Sequence, residues 1–350
     1  MLSWRPAMGL VRRLVGGGSG IEALARERWE IAPPETRFVP PALFLEGQIE
    51  RIRATRFGTA PEVVRHLRGG FETREGPTLG HALRGVDLVD GVLYAGSARR
   101  HLRPEAKARL LPPVPEEHAS GVLYESWAGN RWFGNWLTDD CLAYALAECF
   151  GPPVATAPAP TGHARDYEHL LGQSPRRFAR RRFDELILLD DQANNADRRA
   201  RAERMSARLR AGIDAPPRPG VFLTRGESGD RRLLINEAEI ATRLRDRHGF
   251  AIVDPLAHDA RGLIAACAGA RVIAGVEGSH LCHGLVAMDP EATLLTLQPP
   301  DRVTSVLKIV TDRRGQGFAL ILGAGGSGGF HVPPAEVEAT LDVIARRRGL

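Results

Sequence analysis

Val272-Ile273-Ala274-Gly275-Val276-Glu277-Gly278-Ser279-His280-Leu281-Cys282-His283-Gly284-Leu285 is the stretch on which the fold turns. Residues 270–274 make a short apolar, β-branched run bounded by glycine, the pattern of a strand buried in a parallel sheet. Gly275 and Gly278 predict a turn after it. Ser279 is then placed to cap a helix whose apolar positions Leu281, Leu285 and Met288 recur at helical spacing until Asp289-Pro290 stops it. Strand, glycine turn and helix start aim free backbone N–H groups and the positive end of a helix dipole at one point, which suits a phosphate. Many α/β proteins carry such a turn with nothing bound, so the surrounding sequence has to decide.

Outward from this stretch the pattern alternates. Residues 221–224 read as a strand, followed by the polar loop 225–232. Asn236 caps a helix, Glu239 completes a capping-box-like pair, Ile240 and Leu244 form the apolar stripe, and Gly249 ends it. Residues 250–253 predict a strand, 261–267 a helix and 292–297 another strand. Such alternation predicts a Rossmann-like parallel sheet with ligands at the C-terminal ends of its strands. Arg225 and Glu277 both fall just past such ends. Residues 323–329 read as a mobile glycine loop, and 335–350 as an amphipathic helix with Val337, Leu341 and Ile344 on one face and Arg346 to Arg348 at its C-terminus. This helix is expected to pack back across the first domain.

The proline-rich stretch 215–220 is the best interdomain linker, dividing the chain into 1–215, 220–332 and the helix 333–350. The first part opens with an irregular arm. Residues 21–29 read as a short helix, the prolines of 31–45 keep the chain extended, and strand-like pieces such as 86–94 follow. His81 and His101, each alone, read as structural or exposed. Beyond a strand end at 122–124 and an aromatic loop at 127–133, Asn135 or Thr138 can cap a helix with Leu142, Ala145, Leu146 and Cys149 on its inner side. Asp139 and Asp140 then sit in its first turn. They either compensate the helix dipole or supply a general base beside the aromatic residues 132–136. A strand at 183–189 and a long helix at 196–211 complete this part.

Composition excludes several classes. With 350 residues, 43% hydrophobic and 25% charged, the chain is an ordinary globular protein able to hold two cores. No segment approaches roughly 18 uncharged apolar residues. The N-terminus lacks a continuous apolar core and makes a poor secretory signal, so the cytoplasm is expected, with peripheral contact at the inner membrane face left open. Cys141, Cys149, Cys267 and Cys282 include no CxxC pair, in agreement with a reducing compartment. The net charge of +5 comes almost wholly from arginine, Lys107 and Lys308 being the only lysines. The densest run, 176–210, reads as a solvated helix face. It lacks interleaved aromatics and nucleic-acid motifs, so no nucleic acid is expected as partner, while an anionic membrane surface or acceptor stays open.

At this point residues 221–225, Arg232-Leu233-Leu234-Ile235-Asn236-Glu237, Gly249-Phe250 and 270–279 together resemble the C-terminal half of glycosyltransferase family 61. Phe133-Gly134-Asn135-Trp136-Leu137-Thr138-Asp139 is similar to its N-terminal motif. The version here, with Asn135 and Glu277 where histidine is common and His283 where asparagine is frequent, looks like the bacterial, capsular-polysaccharide branch.

The resemblance implies an α/β chain with two Rossmann-like domains in the GT-B arrangement. The nucleotide-sugar donor, UDP-sugar favoured, would lie in the C-terminal half and the acceptor in the cleft facing the N-terminal half. The acceptor would be a glycan or lipid-linked saccharide, and the activity hexosyl or pentosyl transfer. The chain contains no Asp-x-Asp, the metal clamp of the other main glycosyltransferase fold, so no metal and no further cofactor is expected. Protein groups would then neutralise the leaving diphosphate. The donor set implied is Arg225, Arg232, Asn236, Gly278, Ser279, His280 and His283, with Asn236 also readable as a cap alone. Asp139 is the expected base and Glu277 its rival. Trp136, Asn135 and Asp140 would stand on the acceptor side. A non-catalytic nucleotide-sugar-binding or scaffolding relative is the alternative, and a dinucleotide-dependent oxidoreductase is disfavoured because the turn lacks GxGxxG.

Overall fold

The computed structural model describes residues 20–226 and 229–347. Residues 1–19 of the expected N-terminal arm, Glu227 and Ser228 of the expected polar loop, and residues 348–350 of the expected C-terminal helix lie outside the described residues. The chain divides into two compact units, Met1–Glu35 with Glu75–Arg201 and Thr36–Arg74 with Ala202–Leu350. The division thus falls at Arg201/Ala202 rather than at 215–220, and a segment of the N-terminal half goes with the C-terminal half. The reason is edge pairing. The Leu43 N–H donates to the Phe318 carbonyl at 2.8 Å, and Leu43 and Thr55 form parallel bridges with Ala319 and Val303.

In the first unit an eight-stranded sheet is built from β1 (Glu27–Ala32), β2 (Thr78–Val89), β3 (Val92–Ala95), β4 (Ala98–His101), β5 (His118–Leu123), β6 (Pro153–Thr156), β7 (Arg176–Phe178) and β8 (Arg180–Asp190). Its order is β4-β3-β2-β8-β5-β6-β7, with β1 also on β2. The sheet is mixed, not the parallel one expected. Strands β8, β5, β6 and β7 run parallel, with helices α1 (Trp127–Arg131), α2 (Cys141–Ala147) and α3 (Gly162–Leu171) in the connections. β2, β3 and β4 are mutually antiparallel because the connections between them are too short for a crossover, and β1 and β8 pair antiparallel with β2 across longer connections. Asp90-Gly91 joins β2 to β3 with both residues at positive φ, 49° and 81°, as a tight hairpin requires. Leu83, Val86, Leu88, Phe183, Leu186 and Leu188 form the core on this sheet.

Local expectations shift in the same unit. Residues 21–24 make one 3-10 turn, and the rest of the expected helix is β1. Residues 127–131 are helical, not loop, because the Ser126 hydroxyl caps the Gly129 N–H at 2.9 Å. The early arginines of the 176–210 run lie in strands, where Arg182 pairs with Asp87 and Arg180 with Asp90, each at 3.0 Å. Helix α4 (Ala196–Arg210) follows β8 and carries the unit boundary.

The second unit has a five-stranded, all-parallel sheet of β9 (Arg218–Leu223), β10 (Ala251–Val253), β11 (Ala270–Val276), β12 (Thr293–Gln298) and β13 (Gly317–Leu322). Its order, β10-β9-β11-β12-β13, is the 2-1-3-4-5 order of one doubly wound class, whose switch point lies between the first and third strands. Helices α5 (Glu237–His248), α6 (Ala260–Cys267), α7 (Cys282–Ala287) and α8 (Val306–Arg313) lie in the connections. Phe222, Leu244, Ala274, Leu295 and Ile321 share one core. Residues 323–329 are not a loose loop. They belong to a hairpin, Ala324–Gly326 with Gly329–His331, whose Phe330 is fully buried and whose backbone pairs with residues 233–235. Helix α9 (Pro334–Arg347) places Val337 and Ile344 in this same core, so the apolar face expected to cross to the first domain is used within the second unit.

Candidate functional site

Strands β9 and β11 flank the switch point, and the residues beyond their C-terminal ends are Arg225 and Glu277. Two guanidinium groups meet one buried carboxylate there, and a third, that of Arg225, stands near enough to feel its charge. Arg232 Nη1 donates to Glu277 Oε2, and Arg302 Nη1 lies 3.6 Å from the same oxygen. Arg225 donates through Nη2 to the Asp230 carbonyl at 2.7 Å, and its Nη1 stands 3.3 Å from His280 Nδ1. Arg225, Arg232 and Glu277 are each less than a tenth exposed. Burial, with repulsion from Arg232 and Arg302, lowers the Arg225 pKa to about 10 against the pull of Glu277 and Asp230. Burial and the neighbouring Arg225 hold His280 well below the usual histidine range, leaving it neutral at pH 7. A recess rich in positive charge with one buried counter-ion favours an anion, and planar guanidinium forks match phosphate oxygens.

Gly278 is what lets Arg225 lie there. A Cβ at this position would come within 2.3 Å of Arg225 Nη1. Glu237 fixes the other side. Its two carboxylate oxygens accept the backbone N–H groups of Arg225 and Gly226, each at 2.8 Å. The helix-dipole element of the expectation is weaker than anticipated. Ser279 does not cap a helix but opens a 3-10 turn, Ser279–Leu281, and α7 beyond it is only six residues long. His283 is buried in α7, near enough to His280 to disfavour its protonation. Asn236 precedes α5 without a side-chain cap. Its amide instead clamps Val332, donating to the carbonyl at 2.8 Å and accepting the N–H at 3.2 Å.

In the first unit, Asp139 and Asp140 lie in a π-helical widening, Trp136–Asp140, that leads into α2. Neither Asn135 nor Thr138 caps it. Thr138 Oγ1 donates back to the Gly134 carbonyl, and Asn135 Nδ2 donates to Asp139 Oδ2 at 3.1 Å. Asp139 Oδ1 pairs with the buried Arg198 at 2.5 Å. Asp140 turns inward, packs over Gly129 and accepts the Ser126 N–H at 3.0 Å. Burial pushes its carboxyl well above the ordinary range, which disfavours the charged form that dipole compensation would need. Both aspartates line a cavity of about 540 Å³ at the C-terminal ends of β5 and β8. Trp136, stacked on Phe133 at 5.9 Å, and Asn135 are not among its lining residues.

Arg302 and Glu237 were outside the expected site. The signal for Arg302 was available, since it follows the end of β12 as Arg225 follows β9. Glu237 reads as an ordinary first-turn acid, and only the folded loop shows its carboxylate reaching back. Among the described residues, no cluster of His, Cys, Asp and Glu has a metal-binding arrangement, and no helix is long and apolar enough to cross a membrane.

Fold and site define an α/β protein with an arginine-rich recess at the switch point of a parallel sheet. A family model described as Glycosyltransferase 61 matches residues 133–295, a little under half of the chain. The match supports glycosyltransferase family 61 and takes in Asp139, Arg225, Arg232 and Glu277; Arg302 lies just beyond it. No curated protein matches the chain.

Proposed function

We propose that the chain is a GT-B-type, inverting glycosyltransferase that moves a hexose or pentose from a nucleotide sugar, UDP-linked in the favoured case, without a metal ion. Arg225, Arg232 and Arg302 receive the diphosphate, and Glu277 holds two of these arginines in place. The acceptor hydroxyl attacks the anomeric carbon as the sugar–phosphate bond breaks. The electron pair goes to the phosphate oxygen, where the arginines offset the developing charge. The hydroxyl proton passes to Asp139, which Arg198 and Asn135 orient. The acceptor is a glycan or lipid-linked saccharide of surface or capsular polysaccharide, met in the bacterial cytoplasm at the membrane face.

The observation that carries this reading is the gathering of three guanidinium groups at the switch point, two of them on one buried carboxylate. Calorimetry of the purified chain with UDP-, GDP- and CMP-sugars and NAD, with and without EDTA, tests it. Binding of one nucleotide sugar that is insensitive to EDTA and lost in Arg225→Ala is expected. Binding of NAD alone, or turnover that requires an added divalent ion, would overturn it.

A further inference from the structure

The 540 Å³ cavity of the first unit contains a group that the reaction outlined above does not use. His81, in β2, is 6% exposed, lines the cavity, and has no hydrogen-bond partner for either ring nitrogen among the described residues. It stands in one cross-strand row with Arg28 of β1 and Leu188 of β8, which also line the cavity. Burial and Arg28 keep the ring neutral, with Asp190 acting against them. A neutral imidazole offers one donor and one acceptor, and leaving both unmet in a buried position is costly unless a ligand or water meets them.

The rest of the lining selects the ligand. Of the three lining arginines, Arg198 pairs with Asp139 and Arg100 with Glu22, and the third, Arg28, is outweighed by a lining that carries six carboxyl groups, Glu22, Glu125, Asp139, Asp140, Asp190 and Asp191. Asp191 is held from behind by two bonds from Arg201, at 2.6 and 2.8 Å. Burial raises the carboxyls of Glu125 and Asp140, which favours the protonated form that can donate as well as accept. Such a surface opposes a further anion and suits a ligand dense in hydroxyl groups. Trp127, 42% exposed at the rim, supplies an apolar face for a ring to lie against. The volume lies within the roughly 300–1,000 Å³ of small-molecule sites.

We propose that this cavity binds an uncharged sugar ring, one hydroxyl of which bonds to a ring nitrogen of His81, water meeting the other nitrogen, and whose apolar face rests on Trp127. Its naming as the acceptor site rests on the glycosyl-transfer reading; the binding itself does not.

The test is a titration of the full chain with the methyl glycosides of xylose, glucose, galactose and N-acetylglucosamine, and with glucuronic acid. Imidazole nitrogen resonances are followed by long-range proton–nitrogen correlation, the His81 ring being assigned by its loss in His81→Gln. At least one neutral glycoside should shift the His81 resonances saturably while glucuronic acid does not. His81→Phe or Trp127→Ala should weaken that glycoside at least tenfold and leave UDP binding unchanged. A His81 ring unmoved by every neutral glycoside, or moved by glucuronic acid alone, overturns the proposal. Trp127→Ala, at an exposed position, keeps the test decisive if the His81 variants do not fold. Glycoside binding without UDP binding would sink the donor reading alone, and UDP binding with a silent His81 would sink this one alone.

Discussion

Gly278→Ala bears directly on the arginine recess. The added methyl would lie 2.3 Å from Arg225 Nη1 and 3.2 Å from His280 Nδ1, whereas ordinary contact begins near 3.4 Å. The first contact forces the guanidinium to move by about 1 Å, enough to take a charge-assisted hydrogen bond out of its 2.7–2.9 Å range. Such a bond to a charged group contributes about 1.5–3 kcal/mol. Nucleotide affinity should therefore fall about 10- to 150-fold, at tenfold per 1.4 kcal/mol. Gly278 also holds φ 158° and ψ 171°, where a side chain strains the backbone by about 1–3 kcal/mol, so the melting temperature should fall as well and affinity is compared well below the melting range. Calorimetry with UDP measures the effect, with Arg225→Ala and the double variant completing a cycle. Because both changes act through one guanidinium, the double variant should bind little worse than Arg225→Ala alone. Parental affinity in Gly278→Ala, or full additivity in the cycle, would refute the placement of the phosphate at Arg225.

Two further substitutions separate structural from chemical roles. Glu277→Gln leaves Arg232 buried without its counter-ion and should cost about 3 kcal/mol of stability, with saturating UDP restoring more stability than in the parent. An unchanged urea midpoint with transfer activity abolished would instead make Glu277 the base. Asp140, whose folded pKa is raised by burial, favours folding most below its unfolded value of 3.8 and loses that contribution as pH rises toward the folded pKa. Asp140→Asn removes this slope, so at pH 7.5 it should be at least as stable as the parent, with the advantage shrinking toward pH 4. Urea midpoints across that range decide, and marked destabilisation at pH 7.5 would show that the carboxylate form is needed.

The second unit was the more legible because its strands are buried on both faces. β9, β11 and β12 announce themselves as short apolar runs bounded by glycine or proline, and helices separate them. Local pattern also located Arg225 and Glu277, since position past a strand end is a property of the chain. Strand order and β13 were not readable in the same way. The join of Leu43 to β13 links residues far apart in sequence, and nothing periodic near Leu43 signals that its partner lies beyond residue 300. In the first unit the strands of 78–101 were visible as pieces. The Asp90-Gly91 turn, which makes them antiparallel, is itself a local signal that the family expectation of a parallel sheet overrode.

The residues missed in the sites follow from the same distinction between local and long-range information. Sequence places Asn236 one residue before a helix and Glu239 three residues on, and a capping box is the economical reading of that spacing. The fold uses Asn236 to hold Val332, a partner 96 positions away, and uses Glu237 to hold the Arg225 loop. His81 is the extreme case. As a lone histidine in a strand it is indistinguishable from a satisfied core group, and what marks it is a relation among β1, β2 and β8 that leaves it beside a cavity with both nitrogens unpartnered among the described residues. A chemical group becomes informative when its surroundings fail to satisfy it, and that failure can be seen only once those surroundings have been assembled.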